Sequence, residues 1–108
     1  MDNFKIIYRI LKYLESAMDY VQTDKAAISH QRLNISYERW EQLMIMLQAN
    51  GFIDGLVYTQ TLDDDRPHLT EPIRPRITLK GLEYLSENNM MQKAARMLKG
   101  IKETLPGM

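Results

Sequence analysis

The stretch LNISYERWEQLMIMLQANGFI, residues 33–53, decides the fold of this chain. Ser36 stands where its hydroxyl can accept a hydrogen bond from an opening helical turn, and Gly51 stands where a helix can end. The apolar positions at helical spacing between them are Trp40, Leu43, Met44 and Leu47. These features predict a helix from Ser36 or Tyr37 to Asn50 that runs into a strand, which is the outline of the second helix of a helix-turn-helix followed by a β-wing.

The opposite side of this helix is expected to face away from the core. Its residues are Glu38, Glu41, Ile45, Gln48 and Ala49, flanked by Gln42. Upstream, residues 3–21 predict a first helix whose inward stripe is Phe4, Ile7, Tyr8, Leu11, Leu14, Met18 and Val21, widened by Ile6, Ile10 and Ala17. Residues 26–33 predict a short helix capped by Asp24 or Ser29, and Asn34 suits the tight corner that follows.

Downstream of the central helix the composition favours strands. Residues 52–62 predict one strand, residues 63–72 a polar loop with two prolines, and residues 73–79 a second strand. Because Pro75 cannot donate to a sheet ladder, the second strand is expected at a sheet edge. Two helices are then predicted, from Thr78 to Glu87 and from Asn89 to Glu103.

Length and composition predict one domain over residues 1–108, with the wing at 52–79 and a C-terminal helical extension at 80–105. The longest apolar run, Leu43 to Leu47, is too short to span a membrane, and no export signal opens the chain. The absence of cysteine fits a reducing compartment, so a cytoplasmic location is expected. The 14 basic and 14 acidic residues cancel, so any nucleic-acid surface must arise from local segregation of charge.

Two segments carry a family resemblance. The helix-turn-helix stretch and residues 77–85, ITLKGLEYL, are similar to winged-helix regulators. More narrowly, DDRPHL at Asp64 to Leu69 and TLKGLEYLSEN at Thr78 to Asn88 resemble the YjcQ-like family of small bacterial and prophage proteins. The resemblance implies an α+β, mainly α, winged helix-turn-helix fold: three N-terminal helices, a β-hairpin wing and two C-terminal helices. It implies no particular activity.

By resemblance to winged-helix regulators, the groove-facing positions of the central helix would be Tyr37, Glu38, Arg39, Glu41 and Gln42. Arg39 suits a guanine edge and Gln42 an adenine edge. Glu38 and Glu41 argue against DNA, because phosphates repel carboxylates; a solvated face of a structural helix explains them equally well. Ile45 on the same side hints at a protein surface.

The predicted wing offers a second set of candidate contacts. Arg66 and His68 at its tip, with Arg74 and Arg76 on one strand face, could reach phosphates or a minor groove. A structural alternative is favoured for the tip: Pro67 between Arg66 and His68 is typical of a fixed loop, in which Arg66 pairs with one of the aspartates 63–65 or with a carbonyl of the C-terminal helix.

Enzyme chemistry has little support in the sequence. His30 and His68 lack a second histidine or a cysteine at metal-ligand spacing, and no nucleotide-binding or nucleophile motif is present. Neither catalysis, a metal nor a cofactor is therefore expected.

Two functions remain open. The first is a DNA-binding regulator of phage or bacterial genes, acting on double-stranded DNA as a homodimer. The second is a winged-helix adaptor that binds another protein and has no DNA affinity, which zero net charge, Glu38, Glu41 and Ile45 favour. The homodimer is predicted from the wide apolar arc of the first helix and the methionine-rich last one.

Overall fold

The computed structural model describes residues 2–22 and 24–89 of the chain. Two α-helices, α1 (Asn3–Ala17) and α2 (Tyr37–Ala49), flank a 3-10 helix (Lys25–Ile28). Four short strands follow: β1 (Ile53–Asp54), β2 (Val57–Thr59), β3 (His68–Thr70) and β4 (Arg76–Ile77). A further helix, α3, covers residues 79–89. The architecture is α+β and mainly helical, with small antiparallel sheets.

Helix α1 is shorter than predicted and buries only part of the predicted apolar arc. The Asp2 carboxylate accepts hydrogen bonds from the Phe4 and Lys5 amides at its start, and the helix ends at Ala17 rather than near residue 21. Its buried residues are Ile6, Ile10, Leu11, Leu14 and Ala17. Phe4, Met18 and Val21 were wrongly predicted to face inward, because an apolar arc of more than half the circumference does not fix the buried side.

The connection to α2 is tighter than the predicted short α-helix. Residues 25–28 form a 3-10 helix capped by Asp24, whose side chain accepts from the Ala26 amide. Asn34 has a positive φ of 58°, as its position in the corner predicted. The Trp40 indole donates to the Ile28 carbonyl over 2.8 Å in a buried site, which fixes α2 against this connection.

The predicted limits of α2 are confirmed. Ser36 accepts from the Arg39 amide at its start, and Gly51 beyond its end has φ 83°, a conformation that glycine adopts without strain. Residues from α1, α2, the connection and the hairpin share one core. Its members are Ile6, Ile10, Leu11, Leu14, Ile28, Leu33, Trp40, Leu43, Met44, Leu47, Ile53, Leu56 and Leu85.

The four strands form two antiparallel pairs, which follow one another along a single hairpin. At its base β1 pairs with β4, with Ile53 opposite Ile77, and further out β2 pairs with β3, with Tyr58 opposite Leu69. Strand β3 lies in residues 63–72, which were wrongly predicted to be entirely loop. The break falls at Gly55, whose φ of 90° and close approach to the Arg74 carbonyl exclude a side chain. We call residues 53–77 the hairpin.

The Gln48 side chain of α2 bridges the interruption. Its amide group donates to the Leu56 carbonyl over 2.9 Å, and its carbonyl accepts from the Leu56 amide over 2.8 Å. The backbone groups that the break takes out of the ladder are thereby satisfied. Gln48 was predicted to face away, but it instead joins the hairpin to α2.

Helix α3 starts after Thr78, as predicted, with the Gly81 amide donating to the Thr78 hydroxyl. The predicted last helix, from Asn89 to Glu103, lies almost entirely outside the described residues. None of the helices within residues 2–22 and 24–89 is long and apolar enough to cross a membrane.

Candidate functional site

Glu41 is a buried carboxylate on α2. Only 1% of its surface is exposed, although the sequence predicted it on the outward side. Ile45, one turn further along, is buried as well, so the prediction that it belongs to an exposed protein surface is also wrong. The hairpin folds over this side of α2 and covers Glu41, whose carboxylate contacts His68 and Leu69. Glu38, by contrast, is exposed as predicted.

Hydrogen bonds from the hairpin and from α2 converge on the Glu41 carboxylate. Its Oε2 accepts from the Leu69 amide over 3.0 Å and from the Tyr37 hydroxyl over 3.3 Å. Its Oε1 lies 2.8 Å from His68 Nδ1 and 4.0 Å from Arg66 Nη2. We call Glu41, Tyr37, Arg66, His68 and the Leu69 amide the Glu41 cluster. It satisfies a buried charge that would otherwise be very unfavourable.

The geometry fixes the histidine tautomer. Because an ionised carboxylate only accepts hydrogen bonds, His68 Nδ1 must carry the hydrogen that points to Glu41. His68 Nε2 lies 3.8 Å from Asp64 Oδ1 in the preceding loop. Asp64 itself closes that loop by accepting from both the amide and the hydroxyl of Thr61 over 2.9 Å. His68 therefore lies between two carboxylates.

Arg66 has a different environment from the other arginines of the hairpin. About a third of its side chain is exposed, and its Nε is buried without a hydrogen-bond partner among the described residues. The sequence predicted pairing with a neighbouring aspartate or a carbonyl; the guanidinium instead approaches Glu41 from α2. The charge of Arg66 thus compensates a buried charge of its own chain.

These contacts shift three pKa values. Burial alone raises the pKa of Glu41, but the hydrogen bonds from Leu69 and His68 outweigh it and hold the pKa below the ordinary value of 4.5. The hydrogen bonds from Thr61 lower the pKa of Asp64. Burial, followed by the charge of Glu41, raises the pKa of Tyr37. Glu41 is consequently ionised at neutral pH.

A carboxylate that orients a histidine is also a feature of general-base catalysis. Here the second ring nitrogen of His68, which would have to face a substrate, faces Asp64 instead. Across residues 2–22 and 24–89, no group of three or more histidine or carboxylate side chains is arranged to hold a metal ion. The cluster is therefore best explained as the attachment of the hairpin to α2.

The other side of α2 carries a line of exposed residues. Spaced at i, i+3, i+7 and i+10 along one face, they are Arg39, Gln42, Met46 and Ala49. We call them the α2 strip. The Arg39 guanidinium has no partner within the described part of the chain, and the Gln42 amide donates to the Glu38 carbonyl over 3.1 Å. Tyr37 borders the strip, with its ring against His30 and Trp40.

The remaining candidates lie near the base of the hairpin. Arg74 and Arg76 are both exposed. Arg76 Nε donates to Asp54 Oδ1 across the β1–β4 pair over 3.1 Å, with both side chains largely in solvent. Of the seven residues proposed from the sequence, Tyr37, Arg66 and His68 belong to the Glu41 cluster. Arg39 and Gln42 lie on the exposed side of α2. Arg76 lies on β4, whereas Arg74 precedes that strand, so the prediction that both arginines lie on one strand face is wrong.

Glu41 is the residue whose role the sequence analysis missed. Its signal was available: Met44 and Ile45, three and four positions further along the helix, form an apolar patch beside it. The DDRPHL segment holds the histidine, the arginine and the amide that bind it. The two motifs are 27 residues apart from Glu41 to His68, so only the fold connects them.

Together these features define a small α+β domain in which a hairpin is fastened to one side of a capped helix. The chain belongs to the YjcQ protein family, whose sequence profile matches residues 8–104. It is 30% identical over 103 residues to the protein named uncharacterized protein YjcQ of Bacillus subtilis (strain 168), covering 95% of this chain and 97% of that protein. No solved structure matches the chain significantly.

Proposed function

We propose that this chain is a small winged-helix DNA-binding protein that regulates phage or bacterial genes. The observation that carries the proposal is the composition of the α2 strip. Since Glu41 is turned inward, Glu38 is the one carboxylate that α2 exposes, and Arg39 and Gln42 lie side by side on the open face. The strongest objection raised by the sequence was that two carboxylates, Glu38 and Glu41, would face the groove and be repelled by phosphates. Only Glu38 remains exposed there.

The proposed binding mode assigns a different role to each set of residues. Arg39 reads guanine and Gln42 adenine in the major groove, each good bidentate pair contributing about 1–3 kcal/mol of discrimination. Arg74 and Arg76 contact phosphates and set the position of α2 without reading sequence. Arg66 and His68 position the hairpin through Glu41 rather than through DNA.

A titration tests this proposal. Labelled random-sequence duplex is followed by fluorescence anisotropy at low salt and again at higher salt. A dissociation constant below about 10⁻⁵ M that weakens steeply with salt supports DNA binding. Arg74→Ala and Arg76→Ala should each reduce affinity uniformly across sequences, whereas Lys5→Ala on the exposed side of α1 is the charge-matched control for each single variant. Absence of binding at low ionic strength contradicts the proposal.

A protein-interaction adaptor without DNA affinity is the second candidate. Two of its original supports, Glu41 and Ile45, are buried and no longer favour it. What favours it now is the zero net charge, the exposed Glu38 and the half-exposed Met46 in the middle of the α2 strip. Under this alternative the duplex titration shows no binding, while substitutions at Met46 affect capture of a protein partner.

The proposed DNA-binding form is a homodimer, because two symmetric helices one turn of DNA apart give an operator reader. Sedimentation equilibrium at high protein concentration tests this directly. A mass of two chains supports the dimer, and a mass of one chain contradicts it.

A further inference from the structure

A cavity formed by the described residues lies between the end of α1 and the base of the hairpin. Its volume is about 980 Å³. Helix α1 ends at Ala17, and the chain then turns along one wall, while the segment before β4 forms the other. The residues that give it its character are Met18, Tyr20, Val21, Lys25, Arg74 and Arg76. We call this set the cationic groove.

One wall of the groove is apolar and exposed. Met18 and Tyr20 keep most of their surface in solvent, and Val21 is fully exposed. Single exposed apolar residues need no explanation, but three within one four-residue segment beside a cavity form a patch. Methionine and tyrosine are also enriched in the cores of protein interfaces.

The charges of the groove have one sign. Lys25, Arg74 and Arg76 line it, and the described lining includes no carboxylate. Asp54 pairs with Arg76, but that pair is largely in solvent and therefore weak. The Asp24 carboxylate next to Lys25 accepts from the Ala26 amide as a helix cap. A ligand in the groove therefore meets three cationic side chains and no carboxylate among the described lining residues, beside an apolar wall.

We propose that the cationic groove binds an acidic amphipathic helix of another protein. Such a helix supplies a leucine-type stripe for Met18, Tyr20 and Val21, and carboxylates for Lys25 and Arg74. A DNA backbone matches the charges and leaves the apolar wall unmatched. Residues 90–108 carry four basic residues, Lys93, Arg96, Lys99 and Lys102, against Glu103, so their charge repels that of the groove. The inference does not depend on DNA binding by the α2 strip.

The test uses the full chain and three synthetic fluorescein-labelled peptides of about four helical turns. The first carries leucines on one helical face and glutamates on the other. The second has lysine in place of every glutamate, and the third has alanine in place of every leucine. Only the first should bind saturably in an anisotropy titration at low salt, since it alone offers leucines to the apolar wall and carboxylates to the cationic side chains.

Variants locate the binding. Val21→Glu and Lys25→Glu should each weaken the first peptide about tenfold. Leu62→Glu, at another fully exposed apolar side chain, and Lys5→Glu, at another exposed lysine, are the matched controls and should change affinity less than about twofold. Because all four side chains are exposed, the variants should fold, and circular dichroism melts verify this.

The proposed DNA function shares Arg74 and Arg76 with the groove but involves neither Val21 nor Lys25, so substitutions at these two positions separate the inference from it. Failure of the acidic peptide to bind, equal binding of the lysine peptide, or insensitivity to Val21→Glu and Lys25→Glu overturns the inference and leaves the α2 strip untouched. Duplex DNA that binds in a manner dependent on Val21 and Lys25 also overturns it, because the groove is then a nucleic-acid surface. Loss of DNA binding alone leaves it standing.

Discussion

The two sides of α2 carry similar residue types and have opposite environments. On one side Glu41 is buried beneath the hairpin tip, with hydrogen bonds to Leu69, Tyr37 and His68. On the other, Arg39 and Gln42 stand in solvent. The difference shows that the environment of a charged residue on this helix is set by the segment that packs over it, and not by its residue type. A carboxylate that looks like an obstacle to DNA binding instead holds the hairpin in place.

The same contrast divides the arginines of the hairpin. Arg66 at the tip turns toward a buried carboxylate, whereas Arg76 near the base pairs with Asp54 at the surface. Surface pairs contribute about 0–1 kcal/mol, while removing a buried charged partner, which here is Glu41, costs about 3–5 kcal/mol. Substitutions on the two sides should therefore differ in what they affect as well as in size.

The largest effect should come from Glu41. Glu41→Ala leaves the Leu69 amide, His68 and Arg66 without their acceptor, so we expect a loss of about 3 kcal/mol in the free energy of unfolding. Glu38→Ala, on the exposed part of the same helix, is the control and should change it by less than about 0.5 kcal/mol. Urea denaturation measures both. Equal effects would remove the distinction between the two sides of α2.

A substitution on the α2 strip should act on binding alone. We expect Arg39→Ala to weaken duplex DNA binding about tenfold, because it removes the guanidinium proposed to contact guanine, and to leave stability within about 0.5 kcal/mol of wild type. Anisotropy and urea denaturation give the two readouts. Unchanged DNA affinity would clear the strip of a reading role, and a large loss of stability would show that Arg39 has a structural contact.

Low pH should selectively weaken the attachment of the hairpin to Glu41. The pKa of Glu41 in the folded chain lies below its ordinary value of 4.5, so its ionised form stabilises the fold above that pH. This contribution is lost as the pH falls from 4.5 through the lower folded pKa. The stability difference between wild type and Glu41→Gln should then narrow as the pH falls.

The pKa of Asp64 is lowered in the same way as that of Glu41. Because Asp64 is present in both wild type and Glu41→Gln, its contribution cancels when the two proteins are compared. Thermal melts at several pH values between neutral and strongly acidic measure the difference. A constant difference over that range would mean that the charge of Glu41 does not hold the hairpin.

The smallest effects on stability are expected for two arginines of the hairpin, Arg66 and Arg76, and they should differ from each other. Arg66→Ala removes a half-buried guanidinium from the Glu41 cluster, and we expect a loss of about 1 kcal/mol in the free energy of unfolding. Arg76→Ala breaks a solvated pair and should cost less than about 0.5 kcal/mol. Urea denaturation of both variants is the measurement. A larger effect at Arg76 than at Arg66 would reverse the assignment.

Local signals in the sequence predicted local structure well. Ser36, Asn34 and Gly51 act through their own backbone and immediate neighbours, and the helix limits they predicted are confirmed. Strand β3 was missed because three paired residues between prolines carry too little periodicity. Within the predicted apolar arc of α1 the most deeply buried positions were not singled out, because that arc covers more than half of the helix circumference.

The candidate site was harder to predict because it depends on distant contacts. Residue type alone identified Arg39, Gln42, Arg74 and Arg76 as exposed polar groups. It could not show that the DDRPHL segment folds back onto α2, since nothing in the sequence pattern of either segment indicates that the two are in contact. The burial of Glu41 and the roles of Arg66 and His68 follow from that single tertiary contact.

A double-mutant cycle between Glu41 and His68 tests most directly whether the hairpin tip is fastened to α2. The free energy of unfolding is measured by urea denaturation for wild type, Glu41→Gln, His68→Gln and the double variant. A direct hydrogen bond between the two side chains predicts a coupling of about 1–2 kcal/mol. Effects that add to within about 0.3 kcal/mol would contradict the account.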